Sequence, residues 1–73
     1  MTQYTRADVD MADRHIAEGE VHIGRQKALI TRLQSQSLPV EEAEHLLTLF
    51  RSTMDEHRAH RAAIVEALVA FGQ

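Results

Sequence analysis

A chain of 73 residues has room for one domain, which we expect to span residues 1–73. It contains no cysteine, which excludes disulfide bonds, thiolate metal sites and thiol catalysis. The hydrophobic share of 44%, the charged share of 26% and the net charge of −3 describe an ordinary globular chain. Because it lacks the basic surface that nucleic acids require, we expect no nucleic-acid partner.

The N-terminal residues do not resemble a targeting segment, because no positively charged stretch is followed by an apolar one. The longest run without a charged residue, residues 33–40, includes polar residues and a proline. A membrane-spanning helix needs about 20 predominantly apolar residues. We therefore expect no membrane association and a cytoplasmic location.

The first predicted element is a helix over about residues 6–34. Thr5, followed three residues later by Asp8, is typical of a helix N-terminus, where a carboxylate interacts favourably with free backbone N–H groups. Apolar residues recur every seven positions at Val9, Ile16, Ile23 and Ile30, a row that we call the seven-residue ladder. A companion row with the same period contains Ala12, Gly19, Gln26 and Leu33. This period is typical of helices that pack side by side in bundles.

The second predicted helix covers about residues 40–70 and follows a turn at about residues 35–39. Pro39 suits the start of this helix, and three glutamates follow where the helix dipole favours acidic side chains. Two helices of equal length with a short connection predict an all-α antiparallel hairpin, in which residue i lies near residue 73 − i. A single helix kinked at Pro39 is the alternative, which the turn-forming residues before the proline disfavour.

The apolar stripe of the second helix is wider than contact with one other helix requires. Its members that we expect at an oligomer interface are Leu46, Leu47, Phe50, Met54, Ile64 and Leu68. Each large apolar side chain left in water forgoes about 1.5–3 kcal/mol. Since small chains without disulfides usually need extra stabilisation, we predict that two hairpins pair as a homodimeric, coiled-coil-like four-helix bundle. Capture of a different, unknown protein is the alternative.

A polar segment, residues 55–61, interrupts this stripe and contains two of the five histidines. We expect His57, His60 and Arg61 to form a polar layer in the core, paired with carboxylates of the first helix or of a second chain. His15 is expected at a similar level, so His15, His57 and His60 are candidate metal ligands. Their spacing differs from the Glu-x-x-His pairs of bundle metal sites, so the structural role is favoured and no cofactor is expected.

Two strings of the sequence are similar to segments of a group of short, uncharacterised bacterial proteins. They are Asp13-Arg-His-Ile-Ala-Glu-Gly-Glu-Val-His-Ile-Gly-Arg-Gln-Lys-Ala-Leu-Ile30 and residues 43–61, which end in His57-Arg-Ala-His-Arg61. This resemblance implies a helical hairpin in a bacterial cytoplasm. It transfers no catalytic residue.

No motif in the sequence points to catalysis. The serines lack a glycine-rich elbow and a histidine–acid pair, and residues 19–24 lack the third glycine of a dinucleotide-binding loop. We therefore expect a non-enzymatic protein whose role is interaction or oligomerisation. The alternative is a helical bundle that responds to metal or pH through His15, His57 and His60.

Overall fold

A computed structural model describes the backbone of residues 4–72 and the side chains of residues 4–70. Helix α1 spans Arg6–Ser35, helix α2 spans Glu41–Ala67, and a wider π-helical turn, Leu68–Gly72, continues α2. The two helices pack antiparallel against each other, and no strand occurs among residues 4–72. The prediction of an all-α hairpin is confirmed, and its pairing into a four-helix bundle stays a prediction.

The first turn of α1 is held by the residues that the sequence singles out. The Asp8 carboxylate accepts a hydrogen bond from the backbone N–H of Thr5, with an N···O distance of 2.7 Å, and another from the Thr5 hydroxyl at 3.3 Å. The Asp8 N–H in turn donates to the Thr5 carbonyl at 3.0 Å. These bonds fix the direction in which the chain enters the helix.

The connection at residues 36–40 begins with a Schellman motif whose left-handed residue is a serine. The Leu38 N–H donates to the Leu33 carbonyl at 2.9 Å, and the Ser37 N–H donates to the Gln34 carbonyl at 3.1 Å. Ser37 has a φ of 59°, in the region that favours glycine. The motif satisfies the carbonyls of Leu33 and Gln34 at the end of α1, and the chain then reverses direction to run antiparallel to α1.

The two ends of α2 differ from those of α1. Val40 precedes the helix and provides no side-chain cap, but three glutamates lie in the first turn and interact favourably with the helix dipole. At the other end the α-helical geometry stops at Ala67, and the π-helical turn replaces the α-helix predicted to residue 70. No proline or glycine precedes Gly72 in this part of the sequence, so nothing there signals the wider turn.

The core is a single layer of side chains between the two helices. From the free ends toward the connection, its buried residues are Val9, Ala12, Ile64, Met54, Gln26 and Ile30. Ile64 is the most deeply buried, with 1% of its surface exposed, and it packs with Val9 and Ala12. The buried residues of α1 all belong to the seven-residue ladder and its companion, so the periodicity identified the inner face of this helix.

Two contacts fix the register between the helices. The buried side chain of Gln26 donates from Nε2 to the Ala43 carbonyl at 2.9 Å. Gly19 lies against Met54, and a Cβ atom built on Gly19 would be only 2.6 Å from the Met54 Cε. The missing side chain at Gly19 therefore lets Met54 lie directly on the backbone of α1.

The hairpin is long and thin, with principal extents of 55 × 15 × 13 Å. Its radius of gyration is 16.7 Å, whereas a compact domain of this length has one of about 11 Å. It exposes 5586 Å² of surface, whereas a compact monomer of 8.3 kDa exposes about 4,600 Å². The difference of about 1,000 Å² is surface that a single layer of two helices cannot cover.

Candidate functional site

Pairs of rings from α1 and α2 line one side of the hairpin. The ring centroids of His15 and His57 are 5.4 Å apart, with the planes inclined at 45°. Those of His22 and Phe50 are 5.8 Å apart, inclined at 33°. We call this side, with the exposed residue Leu46 beside Phe50, the histidine face. It joins imidazole and apolar groups of both helices in one surface.

An open cleft of about 250 Å³ lies between the two ring pairs. Gly19 and Met54 are in contact within it, and Glu18 and Thr53 also line it. The missing side chain at Gly19 therefore accounts for the close approach of Met54 to α1. The cleft is smaller than the about 300–1,000 Å³ of typical small-molecule sites, and its size suits a side chain from a partner.

The other side of the hairpin carries ion pairs. Arg61 pairs with Asp13, and Arg58 pairs with Glu20 at an Nη2–Oε2 distance of 3.3 Å. Asp13 and Glu20 each precede a histidine of α1 by two residues, which corresponds to about 200° around the helix. The acids and the histidines therefore lie on opposite sides of α1. We call the side that carries the ion pairs the ion-pair face. Its charged side chains are largely exposed, and pairs of this kind contribute about 0–1 kcal/mol each.

The three residues expected to form a polar layer lie in different surroundings. His57 is half-buried beside His15, while the exposed His60 meets the ring of Tyr4 edge-on at 6.2 Å between centroids. Arg61 is half-buried and belongs to the ion-pair face. Because each residue turns the helix by about 100°, only one narrow row of α2 can face α1. Within one hairpin these side chains therefore do not form a single core layer.

The structure brings two of the three candidate metal ligands together. His15 is exposed and His57 half-buried, so their paired rings remain accessible, whereas His60 lies beside Tyr4 instead. In the part of the chain that the structure describes, no three His, Asp or Glu side chains are grouped so that they could hold a metal ion. One hairpin thus supplies a pair of imidazoles at this point and no complete set of ligands.

The residues predicted for an oligomer interface divide into two groups. Met54 and Ile64 are only 5% and 1% exposed, since they lie on the row of α2 that faces α1. Their assignment to a surface for a second chain is therefore corrected: they belong to the contact within one hairpin. The half-buried or exposed members of the set are Leu46, Leu47, Phe50 and Leu68.

Two exposed apolar residues near the histidine face were not among the predicted interface residues. Leu49 is 48% exposed and follows Leu46 by three residues, and Met11 is 50% exposed and precedes His15 by four. Residues at these spacings are neighbours on a helix surface. Helical spacing from the histidines and from Leu46 is the sequence signal that identifies them.

No protein-family model, curated protein or solved structure matches this chain. The resemblance to short bacterial proteins accordingly stays an expectation. Within the described residues, neither helix has the length and apolar character needed to cross a lipid bilayer. Function is therefore inferred from the exposed surface and its geometry.

Proposed function

We propose that this chain is a non-enzymatic interaction protein that pairs with a second copy of itself through the histidine face and forms a four-helix bundle. The observation that carries the proposal is the exposed area. The hairpin exposes about 1,000 Å² more than a compact monomer of its mass, and each partner in a standard protein interface buries about 800 Å². Pairing with one further hairpin on one face would therefore bury an area close to the excess exposed area.

The cost of removing water favours the histidine face over the ion-pair face. Leu46 and the adjacent Leu49 are 40% and 48% exposed, and burial of apolar surface contributes about 25 cal/mol per Å². On the ion-pair face, four charged side chains would lose their hydration, at an effective cost of several kcal/mol for each ion. An apolar centre with charges outside it is also the usual composition of a stable interface.

The cleft supports pairing with another helix, because it offers a hole for a side chain of the facing hairpin. Helices in bundles pack by inserting side chains of one helix into gaps between side chains of the other. The cleft lies at Gly19, which alone among the residues of the ladder and its companion row carries no side chain. The proposal includes no catalytic step, and the bacterial, cytoplasmic setting stays a prediction from the sequence.

Sedimentation equilibrium across a wide range of protein concentration tests the pairing. We expect an average mass of twice the 8.3 kDa of one chain, and on dilution this mass should fall toward that of a single chain. Leu49→Glu places a charge beside the histidine face and should shift the equilibrium to monomer. Leu38→Glu is the matched control, because Leu38 is 48% exposed like Leu49 but lies in the connection between the helices, so this variant should still dimerise.

A chain that remains a folded monomer at every concentration would overturn the proposal, and capture of a different protein would then be the remaining use of this surface. Equal effects of the two glutamate substitutions would show that pairing does not use the histidine face. Circular dichroism of both variants should give the helix content of the parent chain, since both residues are exposed.

A further inference from the structure

We infer that His15 and His57 form one half of a transition-metal site that a second copy of the chain completes. The inference rests on the proposed pairing through the histidine face, and it assigns that face a ligand of definite chemistry. The ligand is a divalent cation that binds imidazole nitrogen, such as zinc or nickel.

The separation of the two rings fits a shared ion. Zinc lies about 2.0–2.1 Å from an imidazole nitrogen and thus about 3 Å from the centre of the ring. Two rings on one tetrahedral ion therefore have centroids about 5 Å apart. In the structure the centroids of His15 and His57 are 5.4 Å apart. The observed separation therefore agrees with the one that a shared tetrahedral ion requires.

The surroundings of the pair support this geometry. The two histidines come from different helices, so the packing of α1 on α2 at Gly19 and Met54, about one turn away, holds them at their separation. Both line the same cleft as Glu18. The Glu18 carboxylate adds negative charge close to the site, which favours a cation there without making Glu18 a ligand.

A second hairpin is needed because two ligands leave a tetrahedral ion half coordinated. Pairing around a twofold axis brings the same patch of both chains together. His15 and His57 lie within about two helical turns of the middle of their helices, so an axis near them keeps most of the hairpin in contact. The two chains then supply four imidazoles, a ligand set that zinc, nickel and copper accept.

Calorimetric titration of the metal-free, full-length chain with zinc chloride tests the inference. We expect one zinc ion for every two chains and a higher melting temperature of the dimer when zinc is present. His15→Ala and His57→Ala should each abolish this rise. His60→Ala is the matched control, since it removes an exposed histidine outside the pair, and it should keep the rise. Cobalt(II) in place of zinc should give the visible absorption of a tetrahedral ion.

Sedimentation with and without zinc separates this inference from the proposed pairing. A chain that dimerises but binds no zinc overturns the metal site alone, and a chain that stays monomeric in both conditions overturns both proposals. Binding of one zinc ion per chain would contradict completion by a second copy. Zinc binding that survives both alanine substitutions would contradict the assigned ligands. Because His15 is exposed, His15→Ala should keep the helix content of the parent chain, as circular dichroism will show.

Discussion

Replacement of Gly19 by alanine sets two effects of known size against each other. An alanine in place of glycine inside a helix stabilises it by about 1 kcal/mol. The new Cβ, however, would lie 2.6 Å from the Cε of Met54, the flexible end of a side chain that is buried, so this methyl group must shift within the core. Overpacking of this kind costs about 1–3 kcal/mol. We therefore expect Gly19→Ala to be neutral or to lower the free energy of unfolding by about 2 kcal/mol.

Gly24 provides the control within the same helix. A Cβ atom at Gly24 would meet nothing within 4 Å, so Gly24→Ala gains helix propensity without a clash. It should raise the free energy of unfolding by about 1 kcal/mol. Urea denaturation followed by circular dichroism, with all variants at one protein concentration, measures both changes. The fixed concentration matters because the stability of a dimer depends on it.

The effect assigned to Met54 can be isolated in a double-mutant cycle. In a Met54→Ala background the clash is removed, so Gly19→Ala should stabilise that protein by about 1 kcal/mol. The resulting coupling energy between the two positions should be about 1–3 kcal/mol. If Gly19→Ala in the parent chain stabilises as much as Gly24→Ala, Met54 moves aside freely and the close contact does not set the register.

Two further predictions concern the connection and the core. Ser37→Gly should stabilise the hairpin by about 0.5–1 kcal/mol in the same urea assay. The reason is that glycine adopts the left-handed conformation of residue 37 without the steric strain that the Cβ atom of serine introduces. A loss of stability would show that Ser37 does not carry this strain. Ile64→Val removes a methylene from the most deeply buried side chain and should cost about 0.5–1.5 kcal/mol, and no measurable change would contradict its burial.

Much of the hairpin could be predicted because its signals are local and periodic. The seven-residue ladder of α1 marks its inner face, and Pro39 with the residues before it marks the reversal of the chain. The relation between residue i and residue 73 − i places Gly19 at Met54 and His15 beside His57, as the structure shows. Helices of similar length and a short connection leave little freedom in this register.

The division of α2 into inner and outer residues could not be predicted with the same precision. Its apolar stripe is three positions wide, so the sequence alone does not show that Met54 and Ile64 face α1 while Leu46 faces outward. For the same reason His57 and Arg61 were expected together, although a rotation of about 40° between them directs them to opposite sides of the helix contact. The π-helical turn has no sequence signal at all.

The most deeply buried cluster of the hairpin lies at its open end, away from the connection. Val9, Ala12 and Ile64 form it, within a few residues of both free ends of the helices. The helices therefore cannot separate past their outermost turns without exposing Ile64 to water. Amide protons around Ala12 and Ile64 should then exchange with solvent about as slowly as those in the middle of the helices, so that the hairpin opens as one cooperative unit inside its outermost turns.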